Sequence, residues 1–175
     1  MVRGEVKKLL LGGIENFIHY RNRFRELYQS KPIFDVLGRK VVFQENACKH
    51  VCFKTAEPER FQQLPRDSWS QERAERIPWI RLALTEPEEV RPSHVNPTNQ
   101  AYFVTVSSSS ESTVSDECFL VLVKPLGEWV EFVSAFPIDQ AYRAQVKRSG
   151  PRIYPAPAPQ KAGRGRGRKR GREKA

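Results

Sequence analysis

Apolar and aromatic positions recur from Leu10 through Ile14, Phe17, Phe24 and Tyr28, with Ile18 and Leu27 beside them. Their spacing puts them on one side of a helix and predicts an amphipathic helical N-terminal extension over residues 1–34. Gly12-Gly13 breaks the pattern early and Pro32 ends it. "RKVVFQ" (39–44) reads as a short strand, and the mixed segment after it, through Phe53, fits a helix. Pro58 and Pro65 bracket a loop. Beyond it, "ERAERIPWIRLALTEP" (72–87) sets Ile77, Ile80 and Leu84 on one narrow helical face, with Arg73 and Arg76 on that face one turn earlier. Pro78 suits a first turn and harms a later one, so the helix restarts there. Two arginines thus point where a core begins. A guanidinium cannot shed its charge, so it finds a carboxylate, carbonyls or an anionic ligand, or else lays its stem over apolar residues and keeps its head in water.

After a loop rich in Pro and Asn (92–100) the period changes to two. "AYFVTV" (101–106), "CFLVLVK" (118–124) and "EWVEFVSAF" (128–136) are strands, separated by a loop "SSSSEST" (107–113) and a tight turn "KPLGE" (124–128). Phe119 to Val123 is apolar on both faces and predicts a central strand. In the last run Val130, Phe132 and Phe136 alternate on one face with Ser134 among them, and a hydroxyl there needs a partner. Helices before an antiparallel meander predict an α+β domain.

Composition adjusts this picture at the ends. The chain of 175 residues carries a formal charge of +10, but residues 161–175 hold eight Lys and Arg against one Glu, a net of +7. That leaves +3 for residues 1–160, so the high isoelectric point describes mainly a tail. Three cysteines (Cys48, Cys52, Cys118) cannot all pair, which fits a reducing, cytoplasmic setting. "LLLGGI" after Lys7-Lys8 is too short for a membrane span and meets Glu15 at once.

Candidate chemistry is sparse. No glycine loop of nucleotide-binding type and no G-x-S-x-G elbow is present. "CKHVC" (48–52) is a weak metal pattern: on a helix Cys48 and Cys52 are neighbours while His50 turns away, so two buried cysteines are expected rather than zinc. His50 is still a side chain that moves protons near neutral pH.

The order of segments carries more information than any one of them. A histidine segment "ACKHVCFK" is followed by "ERAERIPWIRLALTEPEEV", the meander, "EWVEFVSAFP" and a closing "KRSGPRIY". Over residues 41–154 this resembles the phage-associated nuclease-fold domains grouped with barnase, uridylate-specific endoribonucleases, colicin nucleases and RelE, most closely the second phage-borne subgroup. The resemblance implies helices preceding a curved antiparallel sheet, and a ribonuclease that needs no metal or other cofactor. It implies catalytic roles for His50, Arg73, Ser134 and the closing Arg148. The family often has threonine where Ser134 stands, and a second histidine near the first, where this chain has Cys48 or Lys49.

Cleaving RNA without metal asks for a base at the 2′-hydroxyl, an acid at the leaving 5′-oxygen and a cation for the charge on phosphorus. His50 is the candidate base or acid and Arg73 the phosphate clamp, with Arg76 and Lys54 as substrate-binding support and Ser134 as a donor to a phosphoryl oxygen. Lys54, Glu72 or His94 is the candidate second acid-base group. The expected layout is the extension (1–34), a nuclease-fold domain (35–154), and a Pro/Ala spacer with a Gly/Arg-rich basic tail (155–175) suited to sequence-tolerant phosphate contact. RNA is the expected partner, with DNA a second one through the tail and no membrane. The leading expectation is an endoribonuclease acting as a toxin or phage-related effector, held in check by an inhibitor protein. The alternative is a catalytically silent RNA- or DNA-binding module on the same fold. A purely structural protein-binding role leaves the tail without a purpose.

Overall fold

A computed structural model describes residues 7–55, 66–110 and 113–155. After a single 3-10 turn (Ile14–Asn16) come helix α1 (Phe17–Tyr28), strands β1 (Ile33–Phe34) and β2 (Lys40–Val42), and helix α2 (Ala47–Cys52). A two-stranded ribbon, β3 (Phe53–Thr55) with β4 (Arg66–Trp69), precedes α3 (Gln71–Glu75) and α4 (Trp79–Thr85). Then follow β5 (Glu89–Pro92), β6 (Gln100–Ser110), β7 (Thr113–Leu126), β8 (Trp129–Ile138) and α5 (Gln140–Arg148). The fold is α+β: a curled six-stranded sheet in the order β1-β2-β8-β7-β6-β5, antiparallel except where β2 runs parallel to β8.

Three patterned strands appear where alternation predicts them, and β7 is central, between β6 and β8. The serine stretch differs. Ser107 to Ser110 continues β6, and pairing resumes at Thr113, so the strands reach further into the serines than a polar loop implies. The Pro58–Pro65 loop and the spacer and tail beyond residue 155 lie outside the described residues. Gly127, at φ +76, supplies the left-handed residue that the two-residue β7–β8 turn requires.

One sheet face and the helices build the main core. Tyr102, Val104, Phe119, Val121, Val123, Val130 and Phe132 meet Tyr20, Phe24, Tyr28, Val51, Ile77, Trp79, Ile80 and Leu84, all buried. Helix α1 belongs to this core. Its tyrosines bury their rings and still satisfy their hydroxyls: Tyr28 donates to the Ile77 carbonyl at 2.6 Å, and Tyr20 to the Leu9 and Gly12 carbonyls at 3.1 Å. The opposite, outer face carries Ala101, Phe103 and Leu120 under Val146 of α5, with Leu122, Phe136 and Tyr142 against them.

Strand β8 departs from simple alternation. A bulge in its pairing with β7, between Leu122 and Val123, leaves Val130 and Phe132 facing the main core but sets Ser134 and Phe136 opposite Leu122 and Leu120 of the outer face. One extra residue reverses the side on which every later side chain emerges. Phe136 therefore does not share a face with Val130 and Phe132.

Candidate functional site

The helix that carries both arginines is broken. Helix α3 ends at Glu75, the chain turns through Arg76 to Pro78, and α4 starts at Trp79. The break sends the two guanidinium groups to different neighbours. Arg76 is 6% exposed; its Nε donates to Glu117 at 2.8 Å, its Nη1 to the Glu72 carbonyl at 2.5 Å, and its plane lies 5.2 Å from the Trp79 ring centre. A second Arg76 nitrogen also meets Glu117, and Lys8 donates to the same carboxylate at 2.6 Å. Burial pushes the Glu117 carboxyl up, but the hydrogen bonds and charges of Lys8 and Arg76 outweigh it and hold the group below the usual carboxylate range. The charge of Arg76 is answered within the protein.

Arg73 instead lies over the outer face of β8, its guanidinium 5.0 Å from the Phe136 ring centre. Phe136 packs edge-on against Tyr142 of α5 at 5.9 Å, and Tyr142 in turn against His94 at 4.7 Å. Helix α5 can present Tyr142 because Asp139 caps it, accepting the Tyr142 backbone N–H at 2.7 Å. Burial raises the Tyr142 phenol above its ordinary pKa, while the positive charge of Arg73 pulls it partly back. A phenol kept protonated remains a hydrogen-bond donor. His94 has its Nδ1 buried without a hydrogen-bond partner. Arg73, Phe136, Tyr142 and His94 thus form a chain of successive contacts. Tyr142 and Phe136 are the participants that sequence reasoning missed. The capped pattern Asp139, Tyr142, Val146 was the signal for the helix, but nothing in the sequence marks the bulge that turns Phe136 outward.

Of the other candidates, Ser134 stands two residues before Phe136 on the same face of β8, and α2, which carries His50, packs beside α3. His50, in the last turn of α2, is half-buried, with its Nε2 3.4 Å from Nδ2 of Asn46. It borders an open groove of about 830 Å³ whose walls include Glu45 and Glu131 and no Lys or Arg. Ser134 is buried and donates to the backbone carbonyl of His50 at 3.4 Å, which ties β8 to α2. Lys54 is exposed on β3, opposite Ser68, and Arg148 is exposed at the end of α5. The structure joins Ser134 to the backbone of His50 and links Arg73 to His94 through successive contacts with Phe136 and Tyr142. Neither Arg73 nor Arg148 borders the His50 groove. Cys48 and Cys52 are buried with their sulfurs 3.8 Å apart, and no group of three metal-ligating side chains occurs among the described residues. Among those residues no helix is long and apolar enough to cross a membrane.

Compared with known protein families, curated proteins and solved structures, the chain finds no match.

Proposed function

We propose that this protein is a metal-independent endoribonuclease with its phosphate-binding centre on the outer face of β8. The reading joins the sequence resemblance to one observation: the Arg73 guanidinium packs on Phe136, which meets Tyr142, which in turn meets His94. Arg73 offers a planar fork to non-bridging phosphoryl oxygens and keeps its charge at any working pH. His94 takes the 2′-hydroxyl proton, or returns one to the leaving 5′-oxygen. Tyr142 donates to a phosphoryl oxygen that gains charge as the 2′-oxygen attacks phosphorus. The 2′-oxygen–phosphorus bond forms, the bond to the 5′-oxygen breaks, and a 2′,3′-cyclic phosphate remains. A toxin or effector role, with an inhibitor protein as partner, is part of this reading.

The test is labelled RNA incubated with the purified protein in excess EDTA. Cleavage leaving 2′,3′-cyclic ends, blocked by a 2′-deoxy substitution at the cut, supports the reading. No cleavage, or products with free 3′-hydroxyls that need added metal, overturns it. His94→Ala and His50→Ala, measured side by side, show which imidazole moves the proton. A second reading, an RNA-binding module that does not cut, is favoured by the groove of His50: two carboxylates there repel a phosphodiester.

A further inference from the structure

Phe34 and Trp129 are large apolar side chains left 54% and 38% exposed. They are not scattered. Phe34 of β1 stands opposite Lys40 of β2, and Lys40 opposite Trp129 of β8. Their neighbours Ile33, Val41 and Val130 are buried in the main core, so alternation sends all three to the other face. The result is a rung across three strands, aromatic, cation, aromatic, with the two rings about 10 Å apart at two strand spacings. Lys40 also borders, at the edge beside α1, a groove of about 610 Å³ that neither ring lines, whose walls add Arg25 and Lys31 against the single carboxylate of Glu45.

We infer that this rung and its basic groove bind single-stranded nucleic acid, with one base stacked on Phe34, one on Trp129, and the connecting phosphates at Lys40, Arg25 and Lys31. The surface rests on the proposed ribonuclease reading for its biological substrate: it holds the strand that flanks the scissile phosphate. Charge selects this occupant. An apolar protein patch has no use for a lysine between its rings or for three cations in the adjoining groove, whereas a strand presents a ring face and a negative charge with every nucleotide. A duplex keeps its bases stacked and does not fit.

The experiment uses the full chain and a single-stranded oligodeoxynucleotide of about twelve residues, which the proposed chemistry cannot cut. Fluorescence anisotropy reads affinity, and the tryptophan emission that is lost in Trp129→Phe reads stacking at the exposed Trp129, apart from that of the partly buried Trp69 and buried Trp79. Wild type is expected to bind with quenching. Phe34→Ala and Trp129→Ala are each expected to lose about fivefold to a hundredfold in affinity, with Trp129→Phe restoring most of it. A strand of the same length without bases should bind wild type as weakly as it binds a variant that carries both Phe34→Ala and Trp129→Ala. If both alanine variants bind the oligonucleotide like wild type, the rung is overturned and the nuclease reading stands. Absence of binding also overturns it, and the EDTA cleavage assay on the same preparation tells whether the nuclease reading falls with it. A wild-type dimer that Phe34→Ala dissolves, with strand binding unchanged, assigns the rung to a second copy of the chain and rejects the strand.

Discussion

At the scale of single residues, two arginines three positions apart take opposite roles. Arg73 is argued to clamp phosphate, so Arg73→Lys should keep charge and fold but lose the bidentate fork. Single-turnover cleavage should then fall about tenfold to a thousandfold, as loss of one transition-state donor implies, with the melting temperature unchanged. An equal rate, or a rate that falls only with the folded fraction, would remove Arg73 from the site. Arg76 should show the reverse. Replacing it by Met leaves the half-buried Glu117 with Lys8 alone and should cost about 1.5 to 3 kcal/mol of stability, as loss of a hydrogen bond to a charged group implies, read by urea denaturation, while activity per folded molecule holds. The same pair sets an acid limit. The Glu117 carboxyl is held low in the folded state, so its contribution is fully present above the unfolded carboxylate pKa of about 4.3 and is lost as pH falls through the lower folded value. Melting temperature should therefore drop below about pH 4, and Glu117→Gln, less stable at neutral pH, should flatten that drop.

At the scale of elements, α5 is the helix on which the candidate site depends, and Asp139 is its one side-chain cap. Asp139→Ala should lower stability by about 1 kcal/mol, with faster amide exchange concentrated in residues 140–148 and weaker activity, because Tyr142 loses its platform. Uniform exchange changes over the whole chain would speak against a local cap. What was legible in the sequence follows element by element. The long strands were, because buried faces enforce alternation. The restart at Pro78 was too, because proline has one comfortable place in a helix. The bulge in β8 was not: a single extra residue leaves the apolar pattern intact yet exchanges faces, so Phe136 read as core and became the support of Arg73. The same bulge puts Ser134, which meets the His50 carbonyl, on the face of β8 that carries Phe136 beneath Arg73. Spacing along the chain does not record on which side of a sheet a helix side chain emerges.

At the scale of the whole molecule, the division into extension, domain and tail makes two contrasting predictions. Phe24 of α1 is fully buried against Phe43 and Phe132, with ring centres 5.7 and 6.3 Å away. Phe24→Ala should cost about 3 to 5 kcal/mol in one cooperative urea transition. A first transition confined to α1 would make the helix a true extension instead. The basic end should behave oppositely, because its influence is long-range charge and not packing. Residues 161–175 carry a net of +7, and each cation that meets a phosphate releases counterions and steepens the salt dependence of binding. Removing them should weaken single-stranded nucleic-acid affinity sharply at low salt and flatten its slope against salt concentration, by up to roughly five in a log–log plot if all seven net charges engage. Single-turnover cleavage at saturating RNA should stay close to that of the full chain, since an interaction equal in ground and transition states lowers the substrate requirement without altering the chemical step. Affinity then belongs to the tail and the Lys40 rung, and chemistry to the face beneath α5. If the shortened chain binds with the same slope, the tail does not touch the phosphates and the domain supplies all of the affinity. If its saturated rate collapses as well, tail contacts help assemble the transition state, and the separation of binding from catalysis fails.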